Sequence, residues 1–98
     1  MTRDEMARIA VRVVAEQTAR KMVRERLRQQ GIKLSYVSPR EIAAQAKLLL
    51  ASPENCGGTP KGARVGLRMT DDDLQSEFAK LGATPDNRMH QETMMLLR

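Results

Sequence analysis

Cysteine, aromatic residues and long apolar runs are all scarce in this chain, and each scarcity excludes a class of protein. Cys56 is the only cysteine in 98 residues, so no internal disulfide can staple the fold and a Cys-rich zinc module is ruled out. A lone thiol fits a reducing compartment, and a cytoplasmic setting is the expectation. With no Trp, one Tyr and one Phe, the rings that stack unpaired bases in single-strand-binding proteins are missing. No apolar run nears the roughly 20 residues needed to cross a bilayer. Leu48-Leu49-Leu50 is far too short, and the N-terminal Met-Thr-Arg-Asp-Glu-Met lacks the cationic-then-apolar layout of a secretion signal. No membrane association is expected.

The remaining composition, 41% hydrophobic and 30% charged, is that of a globular chain, and its length suits a single helical domain over 1–98. Ala, Val, Leu and seven Met must fill the core. Such a core adapts more readily than one built on rings. The net charge of +5 is unevenly spread: residues 1–34 carry +5, residues 35–69 carry +3 and residues 70–98 carry −3. Twelve of the basic residues are Arg, the side chain suited to bidentate contact with carboxylate or phosphate.

The chain reads as mainly α, with helices at about 3–30, 39–51, 71–81 and 85–97. Thr2 caps the first, Asp4 and Glu5 lie in its first turn, and neither Gly nor Pro occurs before Gly31, a C′ stop. Its apolar residues divide into two arcs at 100° per residue. Met6, Ile9, Ala10, Val13 and Val14 occupy one side; Ala15, Ala19, Met22, Val23 and Leu27 occupy largely the opposite one. The change falls near Glu16, Gln17 and Thr18. It implies either a break there or a continuous helix whose halves face different partners.

Ser38-Pro39-Arg40-Glu41 starts the second helix with a cap, a Pro at N1 and a capping-box Glu; Ile42, Ala43, Ala46, Leu49 and Leu50 form its apolar face and Pro53 ends it. Five residues of Gly or Pro between 57 and 66 make 52–63 a Gly-rich loop by composition. The alternations at 32–37 and 64–69 are compatible with a short two-stranded β pair. Thr70 caps the third helix, with Asp71, Asp72 and Asp73 in its first turn and Leu74, Phe78 and Leu81 on its apolar face. Thr84-Pro85 repeats the cap-plus-Pro start for the fourth.

Tests for chemistry fail on specific grounds. Cys56-Gly57-Gly58-Thr59-Pro60-Lys61-Gly62 has no Gly-Lys-Ser/Thr triplet after the required gap, so it is not a phosphate loop. Asp71, Asp72 and Asp73 point about 100° apart on a helix and do not converge on a cation. Cys56 and His90, the only residues of their kinds, cannot fill a zinc site, and no nucleophile signature surrounds them. Residues 74–93 resemble a helix-turn-helix, with Asn87, Arg88 and Gln91 near a recognition helix. Against it, Arg88 and Gln91 fall where apolar residues should lie, and the segment is acidic. A plain helical hairpin is the better reading.

The expectation is therefore a non-enzymatic protein, without cofactor or metal, that binds a partner protein as an adaptor, inhibitor or antiactivator. Met6, Ile9, Ala10, Val13 and Val14 are the candidate face for that partner or for a second copy of the chain. The alternative is a nucleic-acid-binding module. Arg20, Lys21, Arg24 and Arg28 would supply a basic ridge on the first helix, with Lys61, Arg64 and Arg68 from the Gly-rich stretch. Glu16 and Glu25 are positioned to pair with Arg20 and Arg28 as ordinary surface ion pairs.

Overall fold

The computed structural model describes residues 2–81 and Met95. Helix α1 spans Arg3–Gln29, α2 Pro39–Leu50, α3 Pro60–Gly66 and α4 Asp71–Lys80; 3-10 segments cover Leu34–Tyr36 and Pro53–Gly58. The protein is mainly α, with no strand among the described residues. Apart from Met95, the expected helix at 85–97 lies outside the described residues, as does the second half of the helix-turn-helix comparison.

Local chemistry sets most of these boundaries. Thr2 and Glu5 form a reciprocal capping box at the start of α1, with Glu5 N–H donating to Thr2 Oγ1 at 3.2 Å. At the other end Gly31 takes φ +79°, a left-handed conformation open to glycine. The Ile32 N–H then donates to the Leu27 carbonyl at 3.0 Å and the Gly31 N–H to Arg28 at 2.9 Å, the paired bonds of a Schellman stop. Ser38 caps α2 by accepting from the Glu41 N–H at 3.2 Å. Only half of the expected box forms there, while the Glu41 carboxylate accepts from Gln45 Nε2 at 3.1 Å. Thr70 caps α4 through the Asp73 N–H at 3.3 Å, and the three Asp then lie in the first turn, where the helix dipole favours them.

Helix α1 is continuous; there is no break near Glu16–Thr18. Ala7 and Val11 are buried and join the two apolar arcs into one row, Ala7-Val11-Ala15-Ala19-Val23-Leu27, spaced four apart. Each step of four advances about 40° around the axis, so five steps carry the row through about 200°. What reads as two opposed faces is one ridge winding around the helix. Its halves do face different directions, but both do so inside the same core. Ala10 and Val14 widen the buried surface of the N-terminal half.

The other helices cover that ridge. Ile42 and Ala46 from α2, Ala63 from α3 and Leu67 just after it, and Leu74 and Phe78 from α4 are buried in the same cluster, with Leu49, Leu50 and Leu81 half-buried against it. The many Ala on α1 let neighbouring backbones approach closely. Each buried Val, Leu or Phe contributes about 1.5–3 kcal/mol and each Ala less, so stability is spread over many small contacts.

The β pair between 32–37 and 64–69 does not form. Leu34–Tyr36 is a 3-10 turn closed by the Val37 N–H to the Leu34 carbonyl at 3.1 Å. Residues 60–66 are α3, followed by Leu67 and Arg68 in a turn. Alternation over five residues is too short to outweigh a helix start, and Thr59-Pro60 is one. Thr59 Oγ1 accepts from the Gly62 N–H at 3.3 Å, the same chemistry as Ser38-Pro39. The stretch 52–63 is accordingly a folded 3-10 segment and the first turn of a helix, although its glycines give it a loop's composition.

Candidate interaction surface

The position of α3 depends on Asn55, which is 2% exposed. Its Nδ2 donates to the Leu49 carbonyl at 2.6 Å and to Ser52 Oγ at 3.1 Å, tying it to the end of α2. Its Oδ1 accepts no hydrogen bond and stands where a side chain on Gly66 would begin. At Gly62 an added Cβ would sit 2.5 Å from the Asn55 carbonyl carbon and 2.6 Å from Cys56 Cβ. Gly62 and Gly66, one turn apart, therefore form the bare face that lets α3 lie against the 53–58 segment. Within that segment, Cys56 and Gly57 take left-handed φ values of 49° and 67° to reverse the chain.

This placement brings Pro60 and Ala63 of α3 beside Leu50 of α2 and Val11 and Ala15 of α1. Together they floor an open cleft of about 410 Å³, edged by Arg8, Arg12 and Glu16. A smaller hollow of about 100 Å³ adjoins it at the α1–α2 seam, lined by Ala43, Ala46, Lys47 and Arg20, and sharing Glu16 and Leu50 with the first. The result is a groove with a floor of small apolar groups and a mainly basic edge. Two other hollows, of about 500 and 520 Å³, both border Arg26. Exposed Leu48 lies in the first of them and Arg68 in the second.

The residues expected at a functional site distribute unevenly. Arg20, Arg24 and Arg28 are exposed on one row, and the row extends N-terminally through Glu16 to Arg12 and Arg8. Lys21 is exposed on a different row. Arg28 pairs with Glu25 at 3.6 Å, both more than 60% exposed, a geometry worth little in water. The anticipated Glu16–Arg20 pair is not among the ion pairs of the described residues. Lys61 is exposed on the first turn of α3. Arg64 serves the fold: its Nη2 meets Asp71 Oδ1 at 2.7 Å and its Nη1 donates to the Met69 carbonyl, bracing the α3–α4 junction. Arg68 occupies a left-handed position, φ 54°, where a glycine would ordinarily end a helix.

On the candidate partner face, Ala10 and Val14 are buried in the core, while Met6, Ile9 and Val13 are half-buried. The accessible apolar groove lies on the other flank of the ridge. Sequence reasoning missed Arg8, Arg12, Leu50 and Pro60 as members of one site. Their only sequence signal was the four-residue spacing from Arg8 and Arg12 through to Arg28.

Among the described residues no three His, Cys, Asp or Glu side chains converge on a point that would hold a metal ion, and no helix is long and apolar enough to cross a membrane. Comparison with protein-family models, with curated proteins and with solved structures finds no match to this chain.

Proposed function

We propose that this protein is a non-catalytic binding protein of the adaptor, inhibitor or antiactivator type, acting by occupying the surface of a partner protein. One observation carries the reading: an open apolar cleft of about 410 Å³ is edged by two exposed arginines on the same helix. Apolar floors exclude water and supply affinity, while charged edges select and steer partners. The test is affinity capture from the native cell with the wild-type chain beside Leu50→Asp and Arg12→Glu variants, each checked for unchanged helicity. A protein held by the wild type and lost from both variants is the expected result. Identical sets of retained proteins would refute the reading.

A second reading, nucleic-acid binding, is favoured by the exposed row Arg8-Arg12-Arg20-Arg24-Arg28. The row turns about 40° at each step, so one duplex meets about three of these arginines at once; three phosphate contacts imply a salt slope near −2.7, so affinity for duplex DNA should fall roughly 40-fold between about 50 and 200 mM salt. Anisotropy of a labelled duplex measures this directly. Absence of binding at the lower salt removes the second reading.

A further inference from the structure

We infer that the groove along α1 seats an acidic amphipathic helix of a partner protein. The inference deepens the partner-binding reading above and rests on it. Three features of the groove select this occupant. The first is length. The two hollows share Glu16 and Leu50 and run from Arg8 to Arg20 along α1. Twelve residues at 1.5 Å make a trough of about 18 Å, or about three turns of a docked helix. A compact ligand would fill one hollow and leave the other.

The second is relief. Ala15, Ala43, Ala46 and Ala63 floor the trough, with Val11, Leu50 and Pro60 as its larger groups. Small side chains let a second helix approach closely, and the wider cleft beside Leu50 accepts its largest apolar side chain. The third is charge. Arg8, Arg12, Arg20 and Lys47 edge the trough against a single acid, Glu16. Arg12, Arg20 and Lys47 have no ion-pair partner among the described residues, whose pairs are Arg28–Glu25, Arg64–Asp71 and Lys80–Glu77. Carboxylates four residues apart on an incoming helix match arginines four residues apart on α1.

Other occupants fit less well. A nucleic-acid strand would meet the arginines but leave the apolar floor without a role, and neither Tyr36 nor Phe78 lines the groove to stack a base. A second copy would have to offer an acidic helix, and α4 is the acidic one among the described helices. Its apolar residues Leu74 and Phe78 are buried in its own core, so it has no free apolar stripe to insert.

The experiment pans a display library of randomised 16-residue helical peptides against the full chain. Selected peptides are then measured on an Arg8→Glu/Arg12→Glu chain and on a Leu50→Asp chain. The arginines are exposed, so the first variant keeps the fold even where the second does not. The expected result is net-acidic peptides with an apolar stripe at i, i+3 or i+4 spacing, bound at least tenfold more weakly by either variant. Neutral or basic peptides that ignore the arginine reversal but fail on Leu50→Asp would overturn the acidic helix while leaving partner binding intact. No selected peptides, or peptides indifferent to both variants, would overturn both. Two parallel measurements complete the test. A 20-base-pair duplex bound through the arginines with no acidic peptide selected would assign the groove to nucleic acid, and a dimer in light scattering that Leu50→Asp dissolves would assign it to a second copy; either overturns the inference.

Discussion

Replacing Gly66 with Ala inverts the usual effect of that substitution in a helix. Glycine inside a helix is normally about 1 kcal/mol less favourable than Ala, so the change should stabilise. Here the new Cβ would overlap Asn55 Oδ1, lie 2.8 Å from Asn55 Cγ and 3.1 Å from the Glu54 carbonyl oxygen. Asn55 cannot turn aside cheaply, because it is 2% exposed and its Nδ2 bonds the Leu49 carbonyl at 2.6 Å. Overpacking costs about 1–3 kcal/mol, and displacing Asn55 leaves a polar group without its partner at a further cost of about 1–3 kcal/mol. Set against the propensity gain, the net destabilisation is about 2–3 kcal/mol. In a domain of this size that lowers Tm by roughly 8–24 °C. Circular dichroism is the assay, since the chain has no Trp. The decisive comparison repeats Gly66→Ala in an Asn55→Ala background, where the clashing amide is gone. The substitution should then be neutral or stabilising, a coupling of about 2–4 kcal/mol. A Gly66→Ala protein as stable as the wild type, or a destabilisation that persists without the amide, would refute the wedge.

Arg68→Gly should stabilise the protein by about 0.5–1 kcal/mol. It removes a left-handed cost of roughly 1–2 kcal/mol and gives back part of it in unfolded-chain freedom; a lower Tm would contradict this. Arg64→Ala should destabilise by about 1–2 kcal/mol through loss of the Met69 and Asp71 contacts. Because Asp71 is half-exposed, its coupling to Arg64 in a double-mutant cycle should stay below about 1 kcal/mol and shrink with salt. Thr70→Ala should cost about 1 kcal/mol by removing the α4 cap, read as a shift of the urea midpoint at constant m. Glu16→Gln should strengthen binding of an acidic helical peptide about two- to fivefold, since it removes the one like charge on the groove edge; weaker binding would count against an acidic occupant.

The boundaries legible in the sequence are those fixed by chemistry within a few residues. Thr2, Ser38 and Thr70 announce helix starts because the cap bond closes within three positions. Gly31 announces a stop because only glycine takes its φ without strain. Helix α3 was hidden for the opposite reason. Gly62 and Gly66 are helical despite their propensity, and they are glycine because the Asn55 segment lies against them. That is a tertiary reason, and composition alone turns it into a loop. The basic site divides in the same way. Arg20, Arg24 and Arg28 declare a row by spacing, but nothing local reveals that Arg64 is committed to Asp71 or that Arg8 and Arg12 border Leu50 and Pro60.

The winding of α1 links its two roles. Six of its buried residues fall on the row 7-11-15-19-23-27, with Ala10 and Val14 beside it, and five of its arginines fall on the next row, 8-12-20-24-28, with Glu16 between Arg12 and Arg20. Adjacent rows advance by the same angle at each step, so the charged row keeps about 100° from the buried one however far the ridge turns. A straight apolar stripe beside a winding arginine row would separate them within two turns. Here the arginines follow the border where α1 meets its neighbours, and Arg8, Arg12 and Arg20 edge the apolar groove because of it. An acidic helix seated in the groove must engage floor and edge together, and it should be lost with Leu50→Asp and with Arg12→Glu alike. A phosphate backbone following the arginines touches only the edge, and it should be indifferent to Leu50→Asp.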